Sequence, residues 1–132
     1  MTILVIGLAG TGKTTYCKER LGSDGLCYDL DALASAFRLK EPHEEEHDPS
    51  RRMANDLLFG FISHAWQYSE NVFIIRTAPS IAELRDINPD MLVVCTKRYI
   101  ERPSYGETGA VARIGEAARW CDSHGIPVDR RE

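Results

Sequence analysis

No apolar run in the sequence approaches the roughly 18 residues that a membrane-spanning helix needs, so the chain is expected to have no membrane partner. Its four cysteines, Cys17, Cys27, Cys95 and Cys121, form no C-x-x-C pair, which removes the usual zinc and redox spacings. Thiols set in apolar segments act as small buried hydrophobes, and a reducing cytoplasm is the expected compartment. Basic residues are not in excess: 16 Lys and Arg stand against 20 Asp and Glu, for a net charge of −4. That balance argues against broad nonspecific duplex binding, which draws on many neutralised phosphates, and does not exclude a local cationic site. Internal repeats are missing, and so is a basic segment before the apolar start, which argues against a secretory leader. With 43% hydrophobic and 27% charged residues in 132, the composition is that of one folded domain with one modest core.

What the sequence does have is concentrated near its start. The apolar run Ile3-Leu4-Val5-Ile6 leads into Gly7-Leu8-Ala9-Gly10-Thr11-Gly12-Lys13-Thr14, a complete G-x-x-x-x-G-K-[ST] pattern between a strand and a helix. Glycines at 7, 10 and 12 let the backbone curl with its N–H groups inward around a phosphate. Lys13 can reach the β- and γ-phosphates, and the Thr14 hydroxyl can ligate Mg²⁺. Thr15 is expected to cap or to line the α-phosphate side. The helix over Lys13 to Leu21 adds the positive end of its dipole, and Gly22 stops it.

Short apolar runs at Thr2 to Ile6, Leu26 to Tyr28, Val72 to Ile75 and Met91 to Cys95 read as strands buried on both faces, the pattern of a parallel α/β sheet. Helices are expected over Leu30 to Phe37, from Ser50 to Tyr68, from the capping box Ser80-Ile81-Ala82-Glu83 to Ile87, and over Thr108 to His124. On the long helix, Met53, Leu57, Phe61 and Ala65 make an apolar stripe that Ala54, Leu58 and Ile62 broaden. Phe59, Phe61, Trp66 and Tyr68 are expected in the core, and Trp120 in packing. Ile126 to Val128 is a weak fifth strand.

Two acids, Asp29 and Asp31, follow the second strand, where an open parallel sheet places its ligand crevice. One can hold the Mg²⁺ shell while the other accepts a proton from an attacking hydroxyl; alternatively either caps the next helix. The third strand ends Arg76-Thr77-Ala78-Pro79, with no acid to activate water, and Arg76 can meet either a phosphate or a neighbouring acid. Lys97, Arg98 and Arg102 cluster after the fourth strand, flanked by Gly106 and Gly109, as a closing basic loop or a solvated one. Arg38, Arg51 and Arg52 flank the irregular segment before the long helix and are weak candidates for an acceptor phosphate. Arg113 and Arg119 read as helix-surface residues, although either could reach the site. His43-Glu44-Glu45-Glu46-His47 matches H-E-x-x-H but follows Pro42 in a polar stretch, so zinc protease chemistry is rejected. His47 is read as solvated, with Asp48 or Ser50 as a helix cap.

A phosphate loop in the first turn and an Asp-x-Asp after the second strand resemble the P-loop kinases, especially the small-molecule and polynucleotide 5′-hydroxyl kinase branches. The likeness extends to compact phage-encoded ATP-binding proteins. It implies a three-layer P-loop NTPase domain with sheet order 2-3-1-4-5, with ATP and Mg²⁺ as cofactors. In such a domain Gly7 to Thr15 would hold the nucleotide and Thr14 and Asp29 the metal. Lys13, Asp31, Arg98 and Arg102 would carry catalysis, with Asp31 orienting or deprotonating the acceptor. The expected partners are a nucleoside triphosphate and a small-molecule or nucleic-acid-end acceptor. A switch module whose ATP occupancy controls a protein partner is the rival reading.

Overall fold

A computed structural model describes residues 1–40, 48–96 and 107–131. Strands β1 (Thr2–Ile6), β2 (Leu26–Asp29), β3 (Val72–Arg76), β4 (Met91–Cys95) and β5 (Val128–Arg131) form one sheet in the order β2-β3-β1-β4-β5. Every pairing is parallel. Between them run α1 (Lys13–Arg20), α2 (Leu30–Arg38), α3 (Pro49–Asp56), α4 (Leu58–His64), a 3₁₀ turn (Ala65–Gln67), α5 (Ile81–Ile87) and α6 (Glu107–Ser123). This is the expected α/β parallel sheet in the expected order. The fifth strand is real but begins at Val128, so the expected Ile126 to Val128 segment is corrected C-terminally.

The registers explain why the strands are apolar throughout. Ile3 pairs with Phe73 and Val5 with Val93, and these side chains share one face with Tyr16 and Cys17 of α1. Leu4 pairs with Ile74 and Ile6 with Val94, and these share the opposite face with Leu58, Leu84, Ile87, Ala117 and Cys121 from α4, α5 and α6. Helices on both faces leave no strand residue of β1 free to be polar beyond Thr2, and each fully buried aliphatic such as Leu4 or Leu92 contributes about 1.5–3 kcal/mol. Among the described residues no helix is long and apolar enough to cross a membrane.

Local signals set the helix starts. Asp29 caps α2, its Oδ1 accepting from the N–H groups of Asp31 (3.1 Å) and Ala32 (3.4 Å). Asp48 caps α3, accepting from the Ser50 N–H at 2.8 Å, with Pro49 in the first turn. Ser80 caps α5 by accepting from the Glu83 N–H, and Asn88, at φ 47°, ends it.

The segment read as one helix from Ser50 to Tyr68 is three pieces, although N–H to C=O bonds four residues apart still link Leu57 to Met53 and Phe61 to Leu57. Its buried face is Ser50, Ala54, Leu58 and Ala65, with Phe61 and Ile62 half-buried against the core. Of the expected stripe, Phe61 and Ala65 with Ala54, Leu58 and Ile62 face the core, whereas Met53 and Leu57 are exposed. The core assignment fails for Phe59, Trp66 and Tyr68, the last two being 71% and 77% exposed. The reason is geometric: α4 and the 3₁₀ turn touch the sheet through Leu58 and Ala65, which turns these three rings outward. Phe61 alone of the four packs inward, 5.7 Å from the Tyr28 ring. Trp120 packs against the core and stacks on His124 at 4.0 Å.

Candidate functional site

The residues from Gly7 to Gly12 connect the C-terminal end of β1 to α1 at the middle of the sheet. Gly7, Gly10 and Gly12 take φ values of 152°, 78° and 90°, a left-handed sequence that side chains resist. Space is equally restrictive at Gly7, where an added Cβ would lie 2.5 Å from the Cys95 carbonyl oxygen and 2.7 Å from Thr11 Oγ1. The Gly7 N–H donates to the Thr77 carbonyl at 3.1 Å, tying the loop to the end of β3. Inside the loop the buried Thr11 hydroxyl donates to the Leu8 carbonyl at 2.7 Å. No side chain caps α1, so its first N–H groups open onto the crevice.

That crevice is about 440 Å³, walled by Ala9 to Thr15 with Asp29, Asp31 and Ile75 opposite. Ala9, Gly10, Thr14 and Thr15 are exposed to it, while Gly7 and Leu8 are buried beneath. Lys13 bends back so that Nζ donates to the carbonyls of Gly7 and, at 3.0 Å, Leu8. Burial pulls the Lys13 pKa below its ordinary value, opposed by the nearby Cys95, Asp31 and Asp29. The lysine is thus a half-desolvated cation held by two neutral carbonyls, an arrangement that an incoming anion can improve.

Adjoining the crevice is a second cleft of about 550 Å³, and the two share Ala9, Lys13, Asp29, Asp31 and Ile75. Arg51 and Asn55 of α3, Arg76 and Thr77 at the end of β3, and Arg113 of α6 wall it. Arg51 Nη1 donates to Asp31 Oδ1 at 2.7 Å, and Asp31 is otherwise open to solvent. Arg76 is paired with Glu83 at 3.0 Å, which resolves its two sequence readings toward the acid in this structure. Position within the cleft depends on β2: the Tyr28 hydroxyl donates to the Ala54 carbonyl, fixing α3 against the strand that ends in Asp29.

The structure therefore brings together Gly7 to Thr15, Asp29, Asp31 and Arg51. Arg38 instead pairs with the buried Asp48 at 3.6 Å and holds the start of α3, and Arg52 is exposed on the surface of that helix. Arg113, read from sequence as a helix-surface residue, is exposed but stands on the cleft wall, and Asn55 is a member no sequence signal named. A signal for both α3 residues existed: Arg51 and Asn55 lie four apart, directly beside the buried Ser50 and Ala54. Lys97, Arg98, Arg102 and Gly106, and the His43 to His47 stretch, lie outside the described residues.

Among the described residues no group of three or more His, Cys, Asp or Glu side chains could hold a metal ion by itself. The thiols are all free, with Cys17, Cys95 and Cys121 buried and Cys27 half-buried. Burial pushes the Cys95 and Cys121 thiols up. Comparison with protein-family models and with curated proteins finds no match to this chain.

Proposed function

We propose that the chain is a P-loop phosphotransferase that binds Mg·ATP through Gly7 to Thr15 and moves the γ-phosphate to a nucleotide, a nucleic-acid end or another small acceptor. One observation carries the reading: a strained glycine loop and an uncapped helix N-terminus face two carboxylates across a crevice that opens into a second, acceptor-sized cleft. A motor-type ATPase fits less well, because β3 ends in Arg76 and Thr77 rather than in an acid.

The residues present fit the triphosphate and its metal. The space a Cβ at Gly7 would fill is already occupied by Cys95 and Thr11, so only glycine fits there. Thr14 is exposed at the start of α1, and Asp29 spends only Oδ1 on capping α2, so these two would hold Mg²⁺. The metal, when bound, supplies charge neutralisation between phosphate oxygens, its usual mode with one or two protein oxygens. Lys13 exchanges its carbonyl partners for phosphate oxygens. Asp31 takes the proton of the acceptor hydroxyl as the acceptor oxygen bonds to the γ-phosphorus and the bond to the bridging oxygen breaks, releasing ADP. Arg98 and Arg102 are proposed to close on the transferring group. Four free thiols support a reducing, cytoplasmic setting.

Incubating the full chain with γ-labelled ATP, Mg²⁺ and a panel of nucleosides, nucleotides and 5′-hydroxyl oligonucleotides tests the reading. Label should reach an acceptor, and Asp31→Asn should slow that transfer about 10²- to 10⁴-fold while leaving ATP binding within a few fold. Transfer untouched by Asp31→Asn would remove Asp31 as the base. A second reading, an ATP-occupied switch acting on a protein partner, draws support from the exposed Phe59, Trp66 and Tyr68; hydrolysis or binding without transfer to any acceptor would favour it.

A further inference from the structure

The sequence holds no C-x-x-C pair, yet the fold brings together two thiols that lie ten positions apart in the chain. Cys17 is on α1, four residues after Lys13, and Cys27 is in β2, two before Asp29. Both pack on the α1 face of the sheet with Val5, Tyr16 and Phe73, and the Cys17 S–H donates a hydrogen bond to the Cys27 sulfur. Cys95 shares that cluster, but the hydrogen bond joins the other two. Their exposure differs. Cys17 is 2% exposed, whereas Cys27 is half-buried and forms part of the wall of a cavity of about 420 Å³. That cavity follows β2, the outermost strand of the sheet, and Ala32, Leu33 and Ala36 of α2 bound it. A small solute entering it meets Cys27 first, with Cys17 behind.

An accessible thiol with a second thiol in contact behind it is the arrangement that peroxide oxidation converts to a disulfide. We propose that Cys27 is an oxidation site for hydrogen peroxide and that Cys17 resolves it to a reversible disulfide joining α1 to β2. The Cys27 sulfur attacks one peroxide oxygen, the O–O bond breaks, and the thiol proton leaves with the departing hydroxide as water. The Cys17 sulfur then attacks the sulfur of the resulting sulfenic acid, and its proton leaves with the hydroxyl as a second water. Two electrons pass from the thiol pair to the peroxide. A dithiol reverses the bond through a mixed disulfide, so in a reducing compartment it is transient. What the bond does follows from what its ends carry. α1 presents Lys13 and Thr14 to the loop crevice, and β2 ends at Asp29 on the opposite wall. Sulfurs in hydrogen-bond contact stand well beyond the about 2.05 Å of a disulfide, so closure draws the two walls together by about 1 Å or more. A weakened hold on nucleotide is the consequence, and that part rests on the phosphotransferase reading, whereas the disulfide does not.

Full-length protein freed of reductant is treated with a small molar excess of hydrogen peroxide, its remaining thiols are alkylated, and an unreduced digest is mapped by mass spectrometry. A peptide pair joining Cys17 to Cys27 is expected, lost on treatment with dithiothreitol, with Cys95 and Cys121 alkylated. Cys17→Ser should instead leave a sulfenic acid on Cys27 that dimedone traps, and Cys27→Ser should slow oxidation of the buried Cys17 at least about tenfold. The map of the unsubstituted protein stands even if Cys17→Ser fails to fold. Calorimetry should then show a non-hydrolysable ATP analogue with Mg²⁺ binding the oxidised protein at least about tenfold more weakly than the reduced one. Dithiothreitol should restore that affinity, and peroxide should leave it unchanged in Cys27→Ser. Peroxide that leaves both thiols open to alkylation, joins Cys27 to Cys95, links two copies of the chain, or carries Cys27 to a sulfinic acid with no bond to Cys17 overturns the proposal. A mapped Cys17–Cys27 bond with unchanged analogue affinity overturns the link to the crevice. Reduced protein that binds no analogue overturns the triphosphate reading, and the peptide map still decides the disulfide.

Discussion

The loop crevice and the cleft beside it are similar in size, about 440 and 550 Å³, and share five residues, yet they are made in different ways. The crevice is mostly one contiguous stretch, Ala9 to Thr15, shaped by left-handed glycines and the uncapped end of α1. The cleft is mostly side chains from the ends of β2 and β3 and from α1, α2, α3 and α6, brought together only by the sheet order and by how the helices lie on it. A contiguous site tolerates little substitution at its glycines and leans on distant packing at few points, such as Thr77 and Cys95 beside Gly7. An assembled site is the reverse: each residue is replaceable alone, and the whole depends on the contacts that aim its helices.

The largest expected effect breaks the crevice and spares the cleft. Gly7→Ala forces a Cβ to within 2.5 Å of the Cys95 carbonyl at a φ of 152°. It should cost about 3 kcal/mol in chemical denaturation and lower ATP affinity at least about 100-fold. A folded Gly7→Ala protein with wild-type ATP affinity would show that the loop is not the nucleotide site.

Tyr28→Phe sharpens the other half. It leaves the buried Ala54 carbonyl without its hydroxyl donor and loosens α3, which carries Arg51 and Asn55. A stability loss of about 1–2 kcal/mol is expected by denaturation, with ATP affinity within about twofold and acceptor-side binding weakened. Equal losses on both sides would mean that the two cavities are not mechanically separate.

Alkaline pH should act beneath the crevice first. Burial raises the thiol of Cys95, whose backbone lies against Gly7, and the thiol of Cys121 on the core side of α6, above the ordinary 9.0. A folded pKa above the unfolded one means that the native state holds more protons, so this stability is complete below pH 9.0 and is lost as pH climbs through the folded values. Each thiol can steepen the loss by up to about 1.4 kcal/mol per pH unit. Lys13 works in the opposite direction: its lowered pKa makes stability rise with pH between the folded value and 10.5. Melting curves from about pH 8 to about pH 10.5 should fall, and Cys95→Ala or Cys121→Ala should flatten the fall. No change of slope in either variant would refute the assignment.

Trp66→Ala has the smallest expected effect, within about 0.5 kcal/mol, since the ring is 71% exposed. Phe73→Ala, from the middle of the sheet at 2% exposure, should cost about 3–5 kcal/mol on the same assay. Similar losses for both would restore the core reading of Trp66.

Most of the fold was legible in the chain because its strands are continuous apolar runs and its caps are local. β1 and β4 were readable residue for residue, and the caps at Ser80 and Asp48 are visible three or fewer residues from the bonds they make. The helical stripe at Met53 and Leu57 misled because apolar residues there run around more than half the helix, and periodicity alone cannot say which face meets the sheet. The same ambiguity hid the three exposed rings. Of the site, Gly7 to Thr15, Asp29 and Asp31 could be named in advance, whereas Arg113 lies 82 positions from Asp31 and joins it only through the fold.

By itself, then, the sequence determined a parallel α/β chain with a glycine loop before its first helix, because strand periodicity, backbone freedom and helix capping act over a few neighbouring residues. Only the tertiary structure decided that Arg51 holds Asp31, that Arg76 is spent on Glu83, and that Arg113 faces the shared cleft. Those placements join side chains from different elements, and their neighbours are chosen by where the packed sheet and helices put them.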